Sequence, residues 1–77
     1  MSFGKNPHVA KAEAAEQKAL DAKDESAREQ GWLEAGRQWE RAADRENDPK
    51  KRARYTEKAD AARAAVDAPP DAGDAPT

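Results

Sequence analysis

The sequence predicts an all-α protein: an antiparallel helical hairpin with an additional N-terminal helix and a disordered C-terminal tail. Two observations predict this fold class. Ala, Glu, Lys, Arg and Leu make up 43 of the 77 residues, a composition typical of long helices and coiled coils. Leu, Val and Phe together contribute only five residues and Ile none, so the β-branched and aromatic side chains that pack a pleated surface are scarce. These counts exclude a sheet protein.

Two prolines indicate where helices begin. Asn6-Pro7 and Asp48-Pro49 each place an N-cap acceptor before a proline, whose fixed φ suits the first position of a helix. The sequence therefore predicts one helix start at each of these pairs.

A third start is indicated by Ser26, which precedes Glu29 at the spacing of a capping box. The same residues also fit the interior of one continuous helix. The first helix is therefore expected either to continue into the second or to fold back across the hairpin, whose two helices join at about 45–50. The expected helices span about 7–24, 27–46 and 49–67.

Each predicted helix carries an apolar stripe at helical spacing, so each has one face to bury. The stripes are Val9, Ala12, Ala15, Ala19 and Ala22 with Leu20 beside them, then Trp32, Ala35, Trp39, Ala42 and Ala43, then Tyr55, Ala59, Ala62 and Val66. Alanine lets helices approach closely but buries little apolar area. We therefore expect the chain to associate with itself or to complete its fold against a partner.

The length allows one small domain, expected over residues 1–67, followed by an acidic, proline-rich tail over 68–77. Three of the ten tail residues are Pro, which cannot continue a helix, and the tail has no bulky apolar side chain. Charge is nearly balanced along the helical part except over 47–66, where six basic residues accompany three acidic ones.

Several classes of function are excluded by single residue types. The chain has no Cys, so it lacks a disulfide framework, a zinc–thiolate site and a thiol nucleophile. His8 is the only histidine, which excludes a metal cluster of several histidines within this chain. No run approaches the ~18 apolar residues of a membrane span, and no secretory signal is recognisable. We expect no enzymatic activity, cofactor, metal or membrane contact, and a cytoplasmic location. The isoleucine-free composition also points to a bacterial genome of high GC content.

The second helix contains the pattern W-x-x-A-G-x-x-W, from Trp32 to Trp39. Two aromatic residues seven apart share a helix face, and the small pair Ala35 and Gly36 between them lets a neighbouring helix approach. The pattern resembles the first helix of a tetratricopeptide repeat, W-x₂-L-G-x₂-Y.

The third helix looks like the second helix of such a repeat, with Ala59 as its small contact residue. Ala59 lies four residues later than the family spacing from Trp39, and the closing proline near Ala64 is missing. Only one repeat is present, over about 29–66, whereas stacking usually needs about three. The resemblance implies a protein-binding role.

Composition and pattern together predict a protein–protein interaction module, such as an adaptor, an accessory subunit or a regulatory partner of a larger protein. Its partner would be another protein or a second copy of the chain. The expected partner-binding residues are Trp32, Ala35, Gly36, Trp39, Tyr55 and Ala59.

The alternative is an anion- or nucleic-acid-binding module that uses the start of the third helix. We call its residues the basic cluster: Lys50, Lys51, Arg52 and Arg54. The helix dipole disfavours cations at this position, so their presence points to an anionic ligand. The acidic sequence pI of about 5.4 favours a protein partner instead.

Overall fold

The computed structural model describes residues 6–67, which contain three α-helices and no strand. They are α1 (Pro7–Asp21), α2 (Glu25–Arg45) and α3 (Pro49–Asp67). The predicted all-α class is confirmed. The first five residues and the predicted tail at 68–77 lie outside the described residues.

Two helices begin at the prolines that the sequence indicated. At the start of α1, the Asn6 side-chain oxygen accepts a hydrogen bond from the His8 backbone N–H at 3.0 Å. At the start of α3, Asp48 Oδ1 accepts one from the backbone N–H two residues later, also at 3.0 Å. In each case the cap satisfies a backbone donor that the helix itself leaves without a partner.

The start of α2 differs from the expected capping box. Asp24, and not Ser26, is the N-cap, and its Oδ1 accepts a hydrogen bond from the Ala27 N–H at 2.8 Å. The first helix ends at Asp21, three residues before the expected end, because Ala22 has an extended backbone (φ −62°, ψ 141°). The three residues 22–24 therefore separate α1 from α2, and the two do not form one continuous helix.

Both outer helices pack antiparallel against α2. Asn6, before α1, donates from Nδ2 to the Ala42 carbonyl near the end of α2 at 2.8 Å. Arg28, near the start of α2, donates from Nη1 to the Ala65 carbonyl near the end of α3 at 3.2 Å. The first helix thus folds back, and the predicted hairpin of the second and third helices is present, joined at 46–48.

The core consists of alanine methyl groups around one large side chain. Its buried hydrophobic residues are Ala12, Ala15, Ala19, Ala35, Trp39, Ala42, Ala43, Ala59 and Ala62. Val9, Trp32 and Tyr55 are half-buried and pack against this core. The nine buried hydrophobic residues all belong to the predicted apolar stripes, so the helix faces that the sequence indicated are the faces that pack.

Candidate interaction surface

Trp39 is the residue at which the three helices meet. Its side chain is 1 % exposed, and its indole N–H donates to Glu16 Oε2 of α1 at 2.7 Å. From α3, the Tyr55 ring stacks on it with centroids 5.6 Å apart, and the Lys58 ammonium lies 5.1 Å from the centroid of its ring. Aromatic stacking and cation–π contact each add to the free energy of area burial. Trp39 therefore connects α2 to both of its neighbours.

The residues predicted to bind a partner divide by exposure. Ala35, Gly36, Trp39 and Ala59 are buried in the contacts between the helices of this chain. Trp32 and Tyr55 are half-buried. The four buried residues contribute to the fold. Contact with a partner stays a prediction for all six residues.

Two glycines in α2 differ in how closely a neighbouring helix approaches them. A Cβ placed on Gly31 would lie 2.8 Å from Ala19 Cα, Cβ and N, so α1 leaves no space for it. A Cβ on Gly36 would lie 3.6 Å or more from α3 atoms, the nearest being the Ala59 carbonyl oxygen and Arg63 Cγ. Gly31 therefore sets the distance between α1 and α2. Sequence reasoning did not single out Gly31, although a glycine inside a strong helix is a signal of close packing.

The two leucines of the chain both lie outside the core. Leu20 of α1 is 68 % exposed and Leu33 of α2 is 44 % exposed. Leu20 follows Glu16 by one turn, so the two side chains are neighbours on α1, beside the alanine face that packs against α2. Sequence reasoning placed Leu20 beside the first stripe and did not single out either leucine as a surface residue. The sequence signal for their exposure was that neither leucine lies on an alanine stripe.

An open groove runs between α1 and α2, and no α3 residue lines it. We call it the α1–α2 groove. Its lining residues are Lys11, Ala14, Ala15, Lys18, Asp21, Ala22, Ala27, Gln30, Gly31, Leu33, Glu34, Arg37 and Gln38. The buried Ala15 and Gly31 belong to its floor, and Leu33 is its largest apolar side chain.

The acidic groups of this groove already have partners. Glu34 accepts hydrogen bonds from Gln38 and Arg37, each at 2.7 Å. The hydrogen bond from Gln38 is the main reason that the pKa of Glu34 is lowered, and the Arg37 bond contributes next. Asp21 accepts hydrogen bonds at 3.2 Å from the Gln17 amide.

The basic cluster lies on the surface at the start of α3, and all four of its residues are exposed. Arg52 turns back to the preceding linker, where its Nε and Nη2 donate to the Glu46 carbonyl at 3.2 and 3.0 Å. Arg52 thus holds the turn between α2 and α3. Within residues 6–67, the side chains of Lys50, Lys51 and Arg54 make no hydrogen bond or ion pair.

Other ion pairs join side chains at exposed positions. Arg63 of α3 contacts Glu40 of α2, and both are about half exposed. Exposed pairs of this kind contribute little to stability. Across residues 6–67, no group of three His, Cys, Asp or Glu side chains could hold a metal ion. No helix in that range has both the length and the apolar character that a membrane crossing requires.

Comparison with known proteins gives no match to a protein-family model, a curated protein or a solved structure. The resemblance to the tetratricopeptide repeat therefore rests on the residues between 29 and 66 alone and stays an interpretation of the sequence.

Proposed function

We propose that this chain is a small helical protein–protein interaction module, an adaptor, accessory subunit or regulatory partner in the cytoplasm. One observation carries the proposal: both leucines lie on the surface, while the core is built from alanine and a single tryptophan. Leucine is among the residue types most often buried. In a chain so poor in bulky apolar side chains, leaving both leucines in water favours a role in contact with another surface.

The half-buried aromatic residues support the same proposal. Trp32 lies seven residues before Trp39 on the same side of α2, yet it keeps part of its surface in solvent. Tyr55 covers Trp39 and is itself partly exposed. Tryptophan and tyrosine are enriched among the residues that dominate the affinity of protein interfaces. In this proposal the buried alanines and Trp39 hold the helices, and the exposed leucines with Trp32 and Tyr55 meet the partner.

The test compares a double leucine variant with a matched control. In the full chain, Leu20→Gln with Leu33→Gln removes both exposed leucines, and Ala61→Gln with Ala64→Gln places the same side chain on exposed α3 positions. Circular dichroism checks that each variant is helical. Sedimentation then measures self-association, and affinity capture from the native lysate with mass spectrometry identifies retained proteins.

The proposal predicts that the wild type and the control form the same oligomer or retain the same protein, and that the leucine variant does neither. The proposal is wrong if the wild type is a stable monomer that retains no protein. It is also wrong if association survives the loss of both leucines.

The second candidate is anion binding by the basic cluster. The observation that favours it is that Lys50, Lys51 and Arg54 are exposed and make no hydrogen bond or ion pair through their side chains within residues 6–67. Cations that contact phosphates give an affinity that falls steeply with salt concentration. Titration with RNA or DNA at low salt tests this role, and an absence of binding there excludes it.

A further inference from the structure

We propose that the α1–α2 groove binds an amphipathic helix of a partner protein, with acidic residues flanking the apolar stripe of that helix. The inference rests on the proposed function, because it names the class of partner that one exposed surface of the interaction module would take. Three features carry it: the length of the groove, its apolar floor, and the two lysines along one edge.

The floor of the groove suits a helix and not an extended chain or a small ion. Small residues from both helices form it, together with Leu33. Gly31 lets α1 and α2 approach closely, because a Cβ at this position would lie 2.8 Å from Ala19. At this contact no side chain larger than a methyl group stands between the two helices. The lining of α1 runs from Lys11 to Ala22, a rise of about 16 Å, or about three helical turns. A partner helix with an apolar stripe about three turns long would match this length and pack into the groove.

Two of the three cationic side chains at the groove form no ion pair. Lys11 and Lys18 stand seven residues apart on α1, so they lie along the same edge two turns from each other. Both are exposed, and neither side chain makes a hydrogen bond or ion pair with another described residue. On the opposite edge, Arg37 is held by Glu34 at 2.7 Å.

The acidic side chains in the lining are fewer than the basic ones, so they balance only part of its positive charge. Glu34 is engaged by Arg37 and Gln38, and Asp21 is engaged by Gln17. The Gln17 amide is neutral, so Asp21 keeps its negative charge, and three cations against two carboxylates give the lining a net charge of +1. The cations of the lining that form no ion pair are the two ammonium groups of α1. A partner helix complements them when it carries Glu or Asp seven residues apart beside its apolar stripe.

The experiment uses two synthetic helical peptides with the same leucine stripe, one with Glu and one with Lys at two flanking positions seven residues apart. Each is titrated into the isotope-labelled full chain, and amide chemical shifts report where and how tightly it binds. We expect the Glu peptide to shift amides lining the groove, such as those of Ala14 and Leu33. We expect the Lys peptide to bind about fivefold to thirtyfold more weakly, as two exposed ion pairs become two repulsive contacts.

Charge reversal in the protein provides the control. Lys18→Glu should weaken binding of the Glu peptide by about threefold or more. Lys23→Glu, the same change in the linker outside the groove, should leave the affinity within about twofold. The double variant Lys11→Glu with Lys18→Glu should reverse the preference and favour the Lys peptide.

The inference is overturned by no binding of the Glu peptide, by equal affinity for both peptides, or by groove shifts that depend only on protein concentration. The last would mean that a second copy occupies the groove. Peptide binding that maps to the side of α1 carrying Leu20 would also overturn it. That result would leave the proposed function standing, because the exposed leucines would still bind a partner.

Discussion

Replacing Gly31 by Ala tests the contact that sets the spacing of α1 and α2. The new Cβ would lie 2.8 Å from three atoms of Ala19, two of them in the backbone. Carbon atoms in contact lie about 3.5–4.0 Å apart, so α1 would have to retreat by about 0.7–1.2 Å. No change of rotamer relieves this overlap, because neither residue has a side chain beyond Cβ.

The expected loss of stability follows from two opposing effects. Overpacking of a core costs about 1–3 kcal/mol, and three overlapping atoms place this change in the upper part of that range. The better helix propensity of Ala offsets about 1 kcal/mol. We expect a net loss of about 1–2 kcal/mol in the free energy of unfolding, and a fall in Tm of about 5–15 °C for a domain of this size. The retreat of α1 would also stretch the hydrogen bond from Trp39 to Glu16.

Gly36→Ala is the matched control in the same helix. Its Cβ would meet α3 atoms at 3.6 Å or more, which is ordinary contact. Only the gain in helix propensity remains, so we expect stability to rise by up to about 1 kcal/mol. Thermal and urea unfolding followed by circular dichroism measure both variants. If both glycine variants raise Tm, the packing argument for Gly31 is refuted.

Three further predictions concern single interactions. Glu16→Ala leaves the buried Trp39 indole N–H without its acceptor; we expect urea unfolding to show a loss of about 1–3 kcal/mol, largely restored in Glu16→Gln. Asp24→Ala removes the α2 cap, and thermal unfolding should show a loss of about 1 kcal/mol, while unchanged stability would contradict the capping role. The pKa of Glu34 is lowered by its hydrogen bond from Gln38, so its contribution is present above the ordinary pKa of 4.5 and is lost as pH falls through the folded-state value. Because the Glu34 side chain is 43 % exposed, this contribution to stability is small. In an acid titration, the stability of Gln38→Ala should therefore fall less steeply below pH 4.5 than the stability of the wild type.

The sequence was sufficient to predict features fixed by neighbours along the chain. Pro7 and Pro49 begin helices for local reasons, namely a fixed φ and a capping side chain one residue earlier. The alanine stripes identified the buried faces because helical periodicity alone determines which residues share a side. The start of α2 was harder, since Asp24 and Ser26 are both good caps and only the turn at 22–24 decides between them.

Features that depend on distant parts of the chain could not be read from the sequence. The hydrogen bond between Glu16 and Trp39 spans 23 residues and requires α1 to fold back. The exposure of Leu20 follows from the same geometry, because the face of α1 that meets α2 is made of alanine. The α1–α2 groove likewise exists only once the two helices are aligned. The sequence therefore predicted the class of function, partner binding, but not the location of the candidate surface.

A core of methyl groups changes which mutations the protein can tolerate. In a leucine-rich interior, the common destabilising substitution leaves a cavity because the new residue is smaller. Alanine can be shortened only to glycine, so large cavities do not arise at alanine positions. Single-base changes in an alanine codon mostly introduce larger or charged residues, such as Val, Thr, Asp or Glu. At Ala12, Ala35 or Ala42, each 0 % exposed, such a change must push two helices apart. Random mutation therefore destabilises this interior mainly by overpacking it. Second-site suppressor mutations are expected to reduce side-chain volume elsewhere between the same two helices.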